Sequence, residues 1–224
     1  MRGWFVTGTD TGVGKTWISV ALVHALRADG QRVLAMKPVA SGCAPTAEGL
    51  RNDDALLLQA AASQPVAYER INRYAFEPAI APHLAAARAQ VTIDLELIAR
   101  DAEALAAGCD CVVVEGVGGW LVPLGPEQTV GDLARCLGLP VIMVVGMRLG
   151  CINHALLTAA AIEASGLPLA GWVANLIDPK MEAVADNARE LALRLRAPLL
   201  GIVPHMHGHP PSQVAGILDI SSLT

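Results

Sequence analysis

Residues 4–8 read WFVTG, residues 8–16 read GTDTGVGKT, and residues 16–26 read TWISVALVHAL. A continuous apolar run, a glycine-rich turn closing on Gly-Lys-Thr and an apolar helical stretch thus follow one another without a gap. That order confines the start of the chain to a strand, a loop and a helix. Such a loop offers backbone N–H groups and a helix N-terminus to anionic oxygens. The usual spacing, G-x-x-x-x-G-K-[ST], would put the first glycine at position 9. Position 9 is Thr9 and the glycine is Gly8, so this loop carries one extra residue. In the phosphate-loop reading the backbone of Gly12, Val13 and Gly14 cradles phosphates, Lys15 reaches the terminal ones, and the Thr16 hydroxyl coordinates magnesium.

Five further apolar runs follow: RVLAMK (32–37), CVVVE (111–115), PVIMVV (140–145), GWVANL (171–176) and LLGIV (199–203). Their apolar residues are continuous rather than alternating, as in strands buried on both faces of a parallel sheet. Helical stretches at 15–28, 53–62, 94–107, 151–165 and 180–195 separate them. The alternation predicts an α/β fold, a single doubly wound domain over 1–224 with a mostly parallel sheet and helices on both faces. A hydrophobic content of 53% is enough to fill its core. Residues 63–87 carry three prolines and fit no crossover unit, so they are expected to form a structured excursion over a site.

The longest apolar runs, such as LPVIMVVGM, fall well short of the ~20 residues that cross a bilayer, which argues against a membrane protein. The first residues show no extended apolar region ahead of a small-residue cleavage site, and five cysteines without C-x-x-C spacing fit reduced thiols. A cytoplasmic setting is expected. A formal charge of −5 with only three lysines, Lys15, Lys37 and Lys180, argues against a nucleic-acid partner.

In open parallel sheets ligands bind beyond the carboxyl ends of the strands, so the residues after each run are the candidates. KPVASG places Lys37 and Ser41 beside the phosphate loop. Lys37 either meets developing charge there or is a solvated lysine at the sheet edge. VVVEGVGGW ends a strand on Glu115, the position of a carboxylate that holds magnesium directly or through water. The glycines after it, Gly116 and Gly118 around Val117, let the chain pass close to a ligand. Asp54, in RNDDALLL, starts a helix and is either a ligand or the helix cap. After the fourth run, GMRLGCINHALLT leads a glycine loop into a helix whose N-terminus suits an anionic substrate end, with Asn153 alternatively a cap. Asn175 suits the edge of a base or a turn. The three histidines of VPHMHGHPP lack a supporting cysteine or carboxylate and read better as a loop over the nucleotide than as a metal site.

Taken together, GTDTGVGKT, KPVASG, RNDDALLLQ, YAFEPAIAPHLAA, VEGVGGWLVPL, RLGCINHALLT and GWVAN resemble dethiobiotin synthetase, in order and spacing, from residue 4 to about 205. The resemblance implies a homodimeric, magnesium-dependent ligase of biotin synthesis. It would use ATP and CO2 to close a cyclic urea on 7,8-diaminononanoate through a carbamate and a mixed anhydride with phosphate. Lys15 and Lys37 would flank the carbamate and γ-phosphate, with Thr11 and Ser41 donating hydrogen bonds. Thr16, Asp54 and Glu115 would surround magnesium, and Gly116, Val117 and Gly118 would border the nucleotide. Gly118, with Gly150, Cys151 and Asn153 of the partner subunit, would hold the substrate. Asn175, Leu176, Pro204, His205 and Met206 would hold adenine. Gly12 departs from family members with an acidic residue there, and the tail from His205 onward matches poorly. Two rivals share the loop, a partitioning-type ATPase and a small-molecule kinase. The first usually carries a lysine where this chain has Asp10, and the second needs an arginine-rich lid that is not apparent.

Overall fold

The computed structural model describes residues 1–205 and 211–223. Its strands, in chain order, are β1 (Gly3–Gly8), β2 (Val33–Met36), β3 (Val39–Ser41), β4 (Ala44–Thr46), β5 (Gly49–Arg51), β6 (Tyr74–Phe76), β7 (Cys111–Glu115), β8 (Val141–Met147), β9 (Leu169–Leu176) and β10 (Leu199–Val203). The helices are α1 (Lys15–Ala28), α2 (Asp53–Ala61), α3 (Tyr68–Ile71), α4 (Pro82–Arg88), α5 (Leu95–Ala106), α6 (Val130–Leu137), α7 (Cys151–Ala164) and α8 (Val184–Arg194).

The six apolar runs form one sheet in the order β10-β9-β8-β1-β7-β2, with every neighbouring pair parallel. Side chains alternate across it and divide its apolar residues between two cores. Phe5, Val112, Val114, Met143 and Trp172 face a core shared with α4 to α8, whereas Trp4, Val6, Val113, Ile142 and Val173 face one shared with α1 and α2. Both faces are therefore dry, which is why the runs read as continuous rather than alternating. β1 lies between β7 and β8, so the loops after β1, β7 and β8 open side by side.

Three differences from the sequence expectation have local causes. α6 is an additional helix started by a capping box, Thr129 and Asp132, a signal present in the sequence. The helix expected from 180 begins at Val184, after a turn in which the Lys180 N–H meets the Asp178 carboxylate. The excursion expected over 63–87 is built from short pieces, α3, β6 and α4, with β6 paired in parallel to β3; ahead of it, between β3 and α2, β4 and β5 form a hairpin. The excursion's turn at Ala79–Pro82 lines the main cleft, so it does lie over a site.

Candidate active site

The phosphate loop follows from the end of β1. Gly14 is the N-cap of α1 at φ 86°, where no side chain caps the helix, so first-turn N–H groups are left to an external acceptor. Glycine is required there twice over. Its φ lies in the left-handed region, and a Cβ would stand 2.2 Å from Asn175 Nδ2. That amide donates to the Val13 carbonyl at 2.8 Å, tying the loop to β9. Gly12, at φ 73°, likewise lies where glycine is favoured.

Lys15 is 7% exposed and donates to the Asp10 carbonyl at 3.0 Å. Burial, helped by the nearby Lys37 charge, lowers its pKa to about 8. The Asp10 carboxylate accepts from the Thr11 N–H at 2.7 Å and from Arg148 Nη2 at 2.6 Å. The Thr11 bond above all, then Arg148, holds its carboxyl below the usual range despite some burial. The residue at the position of the partitioning-type ATPase's lysine thus braces the loop.

Lys37 is not a solvated edge lysine. It is buried, with Nζ 2.5 Å from Glu115 Oε1, 3.1 Å from Asp54 Oδ2 and 3.4 Å from the Gly116 carbonyl. Burial opposes its charge, but the Glu115 and Asp54 carboxylates prevail and raise its pKa above the ordinary lysine value. Burial likewise opposes the Asp54 charge, yet Lys37 and then Thr16 hold its pKa low. Asp54 is not the cap of α2. Asn52 is, accepting from the Ala55 N–H at 3.2 Å, which leaves the Asp54 carboxylate for the site. Thr16 Oγ1 donates to Glu115 Oε1 at 2.9 Å. Glu115 is wholly buried, and its Oε2 has no hydrogen-bond partner.

These groups border a cleft of about 710 Å³ that brings together Thr11, Gly12, Gly14, Lys15, Thr16, Lys37, Ser41, Asp54, Glu115, Val117 and Gly118. Val13 and Gly116 are buried behind it. Ser41 Oγ is another buried atom without a partner. Sequence reasoning missed the apolar wall, Trp17 and Leu57, although Trp17 directly follows the Gly-Lys-Thr signal. It also missed the bracing by Asp10.

Other candidates lie elsewhere. Asn175 is within β9 rather than a turn; Leu176 ends β9, Pro204 and His205 follow β10, and His205 Nδ1 lies 3.3 Å from the Leu176 carbonyl. Met206, His207 and His209 are outside the described residues. None of Gly150, Cys151 and Asn153 lines the cleft of its own chain. Gly150, at φ 93°, is the N-cap of α7, so Asn153 is not; Asn153 is exposed, whereas the Cys151 side chain is buried in the core.

A parallel sheet, an uncapped helix behind a Gly-Lys-Thr loop and a buried carboxylate beside it define a nucleotide-binding protein of the P-loop NTPase fold. The protein-family model described as an AAA domain matches residues 2–211. Solved structures share the fold at low identity. They include the MinC:MinD cell division complex of Aquifex aeolicus (TM-score 0.58, 18% identity, 91% of this chain and 81% of that one). Another is the 54 kDa signal recognition particle protein of Aeropyrum pernix (TM-score 0.55, 18% identity, 100% of this chain and 48% of that one). Curated relatives are far closer. The ATP-dependent dethiobiotin synthetase BioD of Pseudomonas paraeruginosa is 54% identical over 100% of this chain and 98% of its own length. That of Aromatoleum aromaticum is 54% identical over 98% and 97%. The chain belongs to the dethiobiotin synthetase family.

Proposed function

We propose that residues 1–224 form one catalytic domain, a ligase that closes a cyclic urea across 7,8-diaminononanoate with ATP and CO2, yielding dethiobiotin, ADP and phosphate. The observation that carries this is full-length identity of 54% to an ATP-dependent dethiobiotin synthetase, joined to one cleft that gathers both lysines and the carboxylates.

In the reaction, one substrate amine adds to CO2 and loses a proton, giving a carbamate. A carbamate oxygen displaces ADP from the γ-phosphorus. The second amine then attacks the carbonyl carbon, forms the ring C–N bond and expels phosphate. Lys15 and Lys37 supply fixed cations to the negative charge that gathers on the carbamate and γ-phosphoryl oxygens. Thr11 and Ser41 donate hydrogen bonds to the carbamate, a role in keeping with the buried, unpartnered Ser41 Oγ. Thr16, Asp54 and Glu115 would hold magnesium, which neutralises phosphate charge when bound. The unpartnered, buried Oε2 of Glu115 fits a divalent ion. Gly116, Val117 and Gly118 border the nucleotide, and Asn175 to Leu176 with Pro204 to Met206 take adenine.

The working unit is a homodimer in which the Gly150–Asn153 loop, with Cys151, holds the substrate carboxylate for the neighbouring subunit. Supporting this, that loop does not line its own cleft, and Leu149, Leu121 and Leu157 are 97%, 68% and 63% exposed. The setting is the cytoplasm, with which the free cysteines agree; no described helix is long and apolar enough to cross a membrane.

The test is to incubate the protein with the diamine, labelled bicarbonate, ATP and magnesium. Label in an acid-stable product that depends on both diamine and ATP is expected. Diamine-independent ATP hydrolysis without such a product would reject the reading.

A further inference from the structure

Lys37 lies just past the end of β2, where the chain leaves the central sheet and loses its strand partner. Residues of the excursion take over its backbone. The Lys37 N–H donates to the Ile71 carbonyl at 2.8 Å, and the Lys37 carbonyl accepts from Asn72 Nδ2 at 2.7 Å. Asn72 Nδ2 also lies 3.3 Å from the Tyr74 carbonyl, so both amide hydrogens have acceptors. Its Oδ1 accepts from the Tyr68 hydroxyl at 3.0 Å. The same hydroxyl accepts from the Asn52 N–H at 2.8 Å. Asn52 caps α2, the helix whose first turn presents Asp54 to Lys37.

A closed path therefore runs from the backbone of Lys37, through Asn72 and Tyr68, to the cap that aims Asp54, and returns through the Lys37–Asp54 ion pair. Asn52, Tyr68 and Asn72 are 8%, 7% and 4% exposed, so water does not compete for these bonds. The Arg51 guanidinium lies 4.2 Å from the centre of the Tyr68 ring and covers its outer face. A buried polar network in which each member is satisfied fixes geometry more sharply than apolar packing of the same volume. None of the three side chains touches Lys37 Nζ or the carboxylates.

We propose that Tyr68 and Asn72 are positioning residues that set the separation of the Lys37 ammonium from the Asp54 carboxylate, and thereby the rate of the ligase reaction. This rests on the function proposed above. It gives the excursion a second task beyond lining the cleft, since its strand and helix fragments are the mount on which the catalytic lysine is held.

Tyr68→Phe deletes one oxygen and keeps the ring and its contact with Arg51. Asn72→Asp keeps an acceptor for the Tyr68 hydroxyl and deletes the donor to Lys37. Steady-state labelling assays of both variants should show kcat lowered by roughly ten-fold or more with KM for ATP within about two-fold, as expected when only transition-state interactions are lost. In an Asp54→Asn background, adding Tyr68→Phe should cost less than about two-fold, because residues acting through one group are not additive. The ε-carbon resonances of the three lysines give a readout that needs no turnover. The Lys37 signal should move in Tyr68→Phe while that of Lys180 stays. An unchanged kcat and Lys37 signal, a Tyr68→Phe loss that multiplies in full with Asp54→Asn, or variants that no longer fold would each overturn the proposal. A parent protein that forms no labelled product while the Lys37 signal still responds would instead reject the proposed function alone.

Discussion

Lysine is scarce in this chain, and the two lysines in the cleft are perturbed in opposite directions. Lys15 is buried without a carboxylate in contact, and its pKa falls from 10.5 to about 8. Between those values the unfolded chain holds a proton that the folded chain has released, so this group's contribution to stability rises with pH across that window. Phosphates beside Lys15 favour the ammonium. ATP binding at pH ~8.5 should therefore draw a proton into the protein, read by calorimetry in two buffers of different ionisation enthalpy. No proton uptake there would remove Lys15 from the phosphates. Lys37 instead is held charged by Glu115 and Asp54. Lys37→Met would strand the Glu115 carboxylate at 0% exposure, and breaking such a pair typically costs about 3–5 kcal/mol. Urea unfolding in EDTA should show a loss of that order, of which adding Glu115→Gln recovers more than half. If magnesium fits the same carboxylates, it should restabilise the single variant more than the double one. Equal stability of the single and double variants would mean that Glu115 does not depend on Lys37 as its partner.

At the scale of elements, the six central strands were legible because burial on both faces leaves a continuous apolar run, whereas their order in the sheet is seen only in the fold. The excursion was not, because three-residue strands and four-residue or seven-residue helices are too short to display a period. The cleft was legible at Lys15, Thr16 and Glu115, whose positions follow directly from where β1 and β7 end. Asp54 was ambiguous from sequence, since any acidic residue at a helix start can cap it. Asn52, two places earlier, resolves it by taking the cap. The bond from Asn175 to Val13 joins residues from opposite ends of the chain, and no local pattern encodes it. It makes Gly14 a joint between the loop, α1 and β9. Gly14→Ala should lower stability by roughly 1–3 kcal/mol through the left-handed φ and the collision with Asn175, and weaken ATP binding at least ten-fold. Adding Asn175→Ala should return only the part due to the collision, as measured by urea unfolding. Full recovery in the double variant would show that the backbone conformation at Gly14 carries no cost.

At the scale of the whole molecule, the open question is whether one chain completes a site. The cleft holds the phosphate loop, Lys37 and Ser41, but the uncapped N-terminus of α7 lies outside it. Leu157, on α7, and Leu121 line a depression of about 380 Å³ beside Thr9, Asp10 and Thr11, an apolar surface next to the loop that suits the proposed homodimer contact. Leu157→Glu should therefore give monomers by sedimentation and lose ligase activity together. Complementation tests the sharing directly. Asn153 is a better target than Gly150, whose φ of 93° would strain any replacement. Asn153→Asp puts a negative charge, with no change of shape, where the substrate carboxylate is proposed to dock, so activity at low diamine should fall at least ten-fold. Lys37→Ala removes the cation from the other half of the site. In a mixed dimer one composite site then carries both lesions and the other carries neither. Random exchange of equal amounts makes about half the dimers mixed, so roughly a quarter of all sites become intact. Activity at low diamine should rise on mixing towards that fraction of the parent's. Mixed dimers verified with two different tags that stay as inactive as either variant would place the whole site, the α7 terminus included, within one chain.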